Sequence, residues 1–262
     1  MAELPAIVGL NGVNEAFSPR VYCPVIFVPG CNMRCPYCLN TDVVLGQPDR
    51  SLGYGAAKTW TLEEVKKYLV EQRETSIVIS GGEPCLHENL GDLVDNLREF
   101  GVAVGLSTNG TFPDRLDDLI RNHGITMVAM DIKCGLENWE GLGVLYGSPG
   151  RKFDPPDHPV IREEARKIKE SIQYLNGLVG DPDFAVEFRT TLYPPAVSDS
   201  DINAIGALLH KKSYWVLQQF RARTGLLGGD AIADVKPYDE AALERLLALA
   251  HQHVENVQMR WP

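Results

Sequence analysis

Three cysteines crowd into eight positions of the chain, as Cys31-Asn-Met-Arg-Cys35-Pro-Tyr-Cys38. In a reducing compartment such a cluster is more often metal-binding or catalytic than disulfide-bonded. Each iron of a four-iron cube needs a ligand from outside the cube, so three thiolates leave one iron open to a non-protein ligand. A tetrahedral zinc site needs a fourth partner, and the nearest histidine is His87, which gives a local zinc knuckle poor support. Three unconnected structural cysteines are a weaker reading still. The spacing therefore favours an iron–sulfur cube. Cys23, Cys85 and Cys134 stand apart without the paired spacing of ferredoxin-type ligands and read as free thiols, the last two following a glutamate and a lysine motif.

The remaining polar motifs fall where short apolar runs end. Gly81-Gly82-Glu83-Pro84 follows Ile77–Ser80; Ser107-Thr108-Asn109-Gly110 closes Val102–Ser107; Asp131-Ile132-Lys133 closes Met127–Ile132. Taken singly, the first two are ordinary Gly, Pro and Asn-Gly turns, and the third is a strand meeting solvent. Arg189, inside the run Phe184–Leu192, requires an anion or polar partner because a buried charge is costly. A bound ligand or a residue on another strand fits better than Glu187, two residues away. Gln218 and Gln219 are polar in the run Tyr214–Phe220; alternation of faces lets only one point inward, and Gln219 is preferred.

Those runs, with Pro24–Pro29, make six expected strands. Between and after them lie six segments of helical period: Trp60–Arg73, Leu90–Phe100, Asp114–Asn122, Ile161–Leu175, Asp199–Leu209 and Asp239–His253. Thr61 and Glu64 have the spacing of a capping box. A final extended segment is expected over Val257–Trp261. The alternation argues for parallel strands with right-handed crossovers. Gly141–Pro159, dense in Gly and Pro, is expected to be an irregular insertion.

The cysteine motif, with Tyr37 before its third cysteine, resembles the CxxxCxxC signature of the radical S-adenosylmethionine superfamily. That resemblance implies an α/β fold, a single-domain partial (β/α)6 TIM-like barrel. Its core would span about residues 25–221, with the 141–159 insertion and a C-terminal helix plus extended segment over 239–261. It implies a [4Fe-4S] cluster on Cys31, Cys35 and Cys38, whose open iron chelates S-adenosylmethionine. Reductive cleavage would then yield a 5′-deoxyadenosyl radical that abstracts hydrogen. Tyr37, Gly82, Glu83, Ser107, Asn109, Lys133, Arg189 and Gln219 become the expected S-adenosylmethionine contacts. Among them, Glu83 would meet the amino group and Lys133 the carboxylate. In one branch of the family, aspartates at strand ends bind a monovalent cation; Asp131 matches one, but Ser107 stands in place of the other. The set VAMDIK, EFRTT and VLQQF is similar to the activating proteins of anaerobic ribonucleoside-triphosphate reductase. The expected partner is accordingly a glycyl-radical enzyme, with a flavodoxin- or ferredoxin-type reductant; the alternative is direct action on a nucleotide-like small molecule or a peptide.

Composition bounds these readings. The 262 residues carry 25 Lys and Arg against 35 Asp and Glu, a net charge of −10, which argues against a nucleic-acid partner gripped through bulk charge. No apolar run reaches the ~18 residues of a membrane span. The opening MAELPAIVGL lacks the features of a secretory signal, so a cytoplasmic location is expected.

Overall fold

The computed structural model describes residues 4–17, 21–45, 59–147 and 158–260. The strands are β1 (Gly9–Phe17), β2 (Val21–Val28), β3 (Ser76–Gly81), β4 (Ala103–Thr108), β5 (Met127–Asp131), β6 (Ala185–Leu192), β7 (Tyr214–Gln219) and β8 (Asn256–Arg260). The helices are α1 (Thr41–Leu45), α2 (Leu62–Gln72), α3 (Leu90–Glu99), α4 (Pro113–Arg121), α5 (Trp139–Tyr146), α6 (Pro159–Asn176), α7 (Asp199–Gly206) and α8 (Glu240–His251). Strands follow one another in sheet order as they do in sequence. Cα packing divides the chain into two compact units.

The first unit holds Met1–Asn32, Asn40–Thr108 and Asp114–Ala129. Here β1 pairs antiparallel with β2, while β2–β3 and β3–β4 are parallel, with Val28 opposite Gly81 and Ile79 opposite Leu106. The β-branched runs of β2 and β3 bury Ile26, Val28, Ile77 and Ile79 completely. Cys23, Val25, Val78, Met127 and Ala129 form a core cluster against Phe27. Helix α2 starts where the sequence places it: Thr61 accepts from Glu64 N, and the Glu64 carboxylate accepts from Thr61 N. Helix α3 turns Leu90, Leu93, Val94 and Leu97 inward, and α4 turns Leu116 and Leu119.

The second unit holds Met33–Leu39, Asn109–Pro113 and Met130–Pro262. Its strands β6, β7 and β8 pair in parallel, with Leu192 opposite Gln219 and Gln218 opposite Arg260. Phe188, Trp215, Val216 and Leu217 are buried there, and the Trp215 indole N–H donates to Thr190 Oγ1 at 3.0 Å.

Three differences from the sequence reading have physical causes. Strand β1 (GLNGVNEAF) has no apolar run and is a strand through pairing with β2. The expected terminal segment is a full parallel strand, β8 (Asn256–Arg260); Trp261 lies outside the described residues. The segment Gly141–Pro159 is not wholly irregular. Its first residues belong to α5, capped by Asn138, whose side-chain oxygen accepts from Gly141 N at 2.8 Å. Its glycines serve contact there, since a Cβ on Gly141 would lie 2.7 Å from Asn138 Nδ2 and 3.0 Å from Ala196 O. Residues 148–157 of that segment lie outside the described residues.

Candidate functional site

In the first unit, two strand ends converge on the approach to Cys31. Gly82 N donates to Val28 O at 3.0 Å, and Glu83 N donates to Gly30 O at 2.8 Å. A Cβ on Gly82 would stand 1.7 Å from Gly30 O and 3.1 Å from Cys31 Cβ; one on Gly81 (φ +129°) would stand 2.1 Å from Val28 O. Side-chain-free residues are obligatory here because chain lies directly on chain. Three further tethers hold the same loop: Gly30 N to Val43 O in α1, Asn40 Nδ2 to Gly81 O at 3.2 Å, and a 2.8 Å bond between His87 Nε2 and Pro29 O.

Glu83 is fully buried, and its Oε1 accepts from Cys85 N at 3.0 Å and from Thr108 Oγ1 at 2.7 Å. The sequence pointed to Ser107 and Asn109 on either side of Thr108; the threonine between them is what fixes the glutamate. Its signal was alternation, since Thr108 faces opposite to Ser107 on β4. Ser107 is half-buried. Cys85 is a core thiol pushed well above its ordinary pKa, by burial first and by the Glu83 charge second.

In the second unit, the rest of the cysteine loop is pinned through its backbone. Arg34 N donates to Leu145 O in α5 at 2.8 Å, Gly228 N to Pro36 O at 2.8 Å and Leu227 N to Cys38 O at 3.0 Å. The Gly225–Gly229 segment, which lacks the residues of a phosphate loop, thus acts as a brace. A Cβ on Gly228 would meet Pro36 Cβ at 3.0 Å. Cys35 is buried, and burial pushes its thiol up to about 11 against the opposing pull of the Lys133 charge. Lys133 is itself paired with Asp131 at 3.4 Å and is 17% exposed. The Tyr37 hydroxyl is buried beside the Cys35 thiol. Its ring lies 5.0 Å from that of Tyr193, which in turn lies 5.1 Å from Phe220.

The other expected contacts in this unit have protein partners. Asn109 closes a local turn, its Oδ1 accepting from Thr111 N at 3.0 Å and Thr111 Oγ1 at 2.7 Å. Gln219 Nε2 donates to Tyr238 O at 3.2 Å. Arg189 pairs with Glu187 through Nε and Oε1, correcting the expectation that a bound ligand or a residue on another strand fits it better. They share a face of β6, and the guanidinium is long enough to fold back over one pleat. The pairing satisfies two largely buried charges, with side chains 12% and 2% exposed. Cys134 is another core thiol, raised by burial.

Among the described residues the six cysteines are free of disulfides, and no three His, Cys, Asp or Glu side chains stand preassembled as a metal-binding group. No helix of the described residues is long and apolar enough to cross a membrane.

Residues 25–153 match the Radical SAM superfamily. A protein of Methanocaldococcus jannaschii named as a candidate glycyl-radical enzyme activating enzyme is 28% identical over 260 residues, covering 99% of this chain and 96% of the relative. The 7-carboxy-7-deazaguanine synthase of Aquifex aeolicus is 34% identical over 113 residues, 40% of this chain and 46% of that one. Among solved structures, Streptococcus suis SuiB bound to its precursor peptide SuiA has a TM-score of 0.60 at 14% identity, covering 91% of this chain and 48% of SuiB. The chain thus spans about half the length of that structure. The fold class is the expected α/β one, its strands mostly parallel, and the likeness to SuiB is one of fold.

Proposed function

We propose that this chain, which carries a radical SAM domain over residues 25–153, binds a [4Fe-4S] cluster and S-adenosylmethionine and takes hydrogen from a glycine of a partner protein, leaving a stored glycyl radical. The observation carrying the choice of target is length. Similarity to the Methanocaldococcus protein runs over 99% of this chain and 96% of the relative, whereas similarity to 7-carboxy-7-deazaguanine synthases covers 40% of this chain for the Aquifex protein and 71%, at 25% identity, for that of Halobacterium salinarum.

When bound, the cluster and S-adenosylmethionine supply one-electron reductive cleavage of a carbon–sulfur bond and, from it, hydrogen abstraction. The chain's own residues hold and orient these groups. Cys31, Cys35 and Cys38 form no disulfide among the described residues, and their thiolates are the donor class that suits iron–sulfur clusters. Cys35 must lose its proton to ligate iron, and the Lys133 ammonium favours that loss against burial. The buried Tyr37 hydroxyl lies beside the Cys35 thiol, where a hydrogen bond from it favours the thiolate. Glu83, held by Thr108 and Cys85 N, presents a fixed acceptor to the ammonium of S-adenosylmethionine, while Lys133 faces its carboxylate. Gly82 lets the Glu83 turn lie against the cysteine loop. Ser107, Asn109, Arg189 and Gln219 complete the proposed contacts to the methionyl and ribose parts, Arg189 sharing its charge with Glu187. A flavodoxin- or ferredoxin-type protein would deliver the electron.

The test is anaerobic incubation of the reduced protein with S-adenosylmethionine and a candidate glycyl-radical enzyme from the same organism. A glycine-centred doublet in electron paramagnetic resonance, with 5′-deoxyadenosine formed in proportion, is the expected result. A second reading, direct action on a small molecule or peptide, draws on the 34% identity to the Aquifex synthase. Formation of 5′-deoxyadenosine without the doublet, and with deuterium arriving from a labelled small substrate, would replace the first reading by the second.

A further inference from the structure

The turn that carries Lys133 is held from below by a carboxylate far along the chain. Asp201, in the first turn of α7, is 4% exposed. Its Oδ1 accepts from Gly135 N at 2.9 Å and from Asn138 Nδ2 at 2.8 Å; its Oδ2 accepts from Ser198 N at 2.8 Å and from Ser198 Oγ. Four donors occupy both oxygens, which is the full capacity a buried carboxylate needs to offset its lost hydration.

The two oxygens do different work. Oδ2 completes the capping box of its own helix, a task local to α7. Oδ1 faces away from α7 and fixes the segment after β5: Gly135 is two residues beyond Lys133, and a Cβ there would come within 2.9 Å of Asp201 Oδ1. Asn138 extends the hold. Its Nδ2 also donates to Ala196 O at 3.1 Å, and its Oδ1 caps α5 at Gly141 N. At the far end of α5, Leu145 O receives Arg34 N from the cysteine loop.

We propose that Asp201, acting with Asn138, is a positioning residue that sets the Lys133 turn for the carboxylate of S-adenosylmethionine. This rests on the role given to Lys133 under the proposed function, and goes beyond it by assigning the group that makes that role geometrically definite.

The experiment measures S-adenosylmethionine affinity of the cluster-loaded protein by anaerobic equilibrium dialysis, alongside iron per chain and melting temperature. Asp201→Asn keeps the shape but turns one acceptor into a donor facing another donor. It and Asn138→Ala are expected to weaken S-adenosylmethionine binding by about tenfold or more, as outer residues that orient ligands commonly do, with iron content retained. Lys133→Met should weaken binding at least as much, and Asp201→Asn combined with Lys133→Met no further than Lys133→Met alone, because the two act through one group. Ser198→Ala removes a cap bond while leaving Oδ1 in place; it should lower the melting temperature and leave affinity unchanged. Unchanged affinity in Asp201→Asn, where Lys133→Met weakens it, overturns the inference. So does a loss in Ser198→Ala equal to that in Asp201→Asn. Unchanged affinity in Lys133→Met overturns the assignment of Lys133 itself, and this inference with it. Should Asp201→Asn not fold, Asn138→Ala decides alone.

Discussion

Glu83 is a fully buried carboxylate whose Oε1 is satisfied by one side-chain hydroxyl and one backbone N–H. A hydrogen bond to a charged, buried acceptor contributes about 1.5–3 kcal/mol, and losing its donor leaves the desolvation cost uncompensated. Thr108→Val preserves shape and removes that donor. It is expected to lower unfolding free energy by about 2 kcal/mol in urea titration, and to loosen S-adenosylmethionine binding by freeing the carboxylate to rotate. The residue scale also shows what spacing alone could not decide. Glu187 and Arg189 pair because a long side chain can reach back one pleat, and the inward or outward direction of β6 was not legible from its run of residues.

Among the elements, the glycine turn after β3 is shaped by contact. The Cβ of Gly82→Ala would fall 1.7 Å from Gly30 O, an atom of the backbone entering the cysteine loop. The expected outcome is a destabilisation of about 3 kcal/mol or more, with iron bound per chain after reconstitution falling along with the melting temperature. Helix α5 offers the opposite lesson about propensity. Ala exceeds Gly as a helix former by about 1 kcal/mol, so Gly141→Ala should stabilise an isolated helix. In this protein the added methyl meets Asn138 and Ala196 O, and a net loss of about 1–3 kcal/mol is expected from overpacking, read as a lower denaturation midpoint. Helices α2, α3, α4 and α6 were legible because apolar periodicity is local, and α2 by its capping box as well. Helix α5 was not, because its glycines signal irregularity until their neighbours are known.

For the whole molecule, buried thiols make stability depend on alkaline pH. Burial raises Cys23 and Cys35 from an ordinary value of 9.0 to about 11. A folded state that keeps a thiol protonated where the unfolded chain would ionise it gains stability below pH 9, and loses it as pH rises from 9 through 11. For Cys35 this is about 3 kcal/mol. Guanidinium titrations of metal-free protein between pH 8 and 11 should show that decline, and Cys35→Ala should flatten part of it. The thiol that weakens the metal-free fold at high pH is also the one that must deprotonate to hold iron, so reconstitution should speed up over the same rise in pH. Six of the strands, the three thiols and the motifs at successive strand ends were determined by sequence alone, because apolar periodicity and ligand spacing are properties of neighbours along the chain; β1 was not, since it is a strand through its pairing with β2. Tertiary structure alone decided that Thr108 holds Glu83, that Asp201 holds the Lys133 turn and that Gly225–Gly229 braces the cysteines. Those bonds join residues distant in sequence, and direction in space is set only when the strands pair.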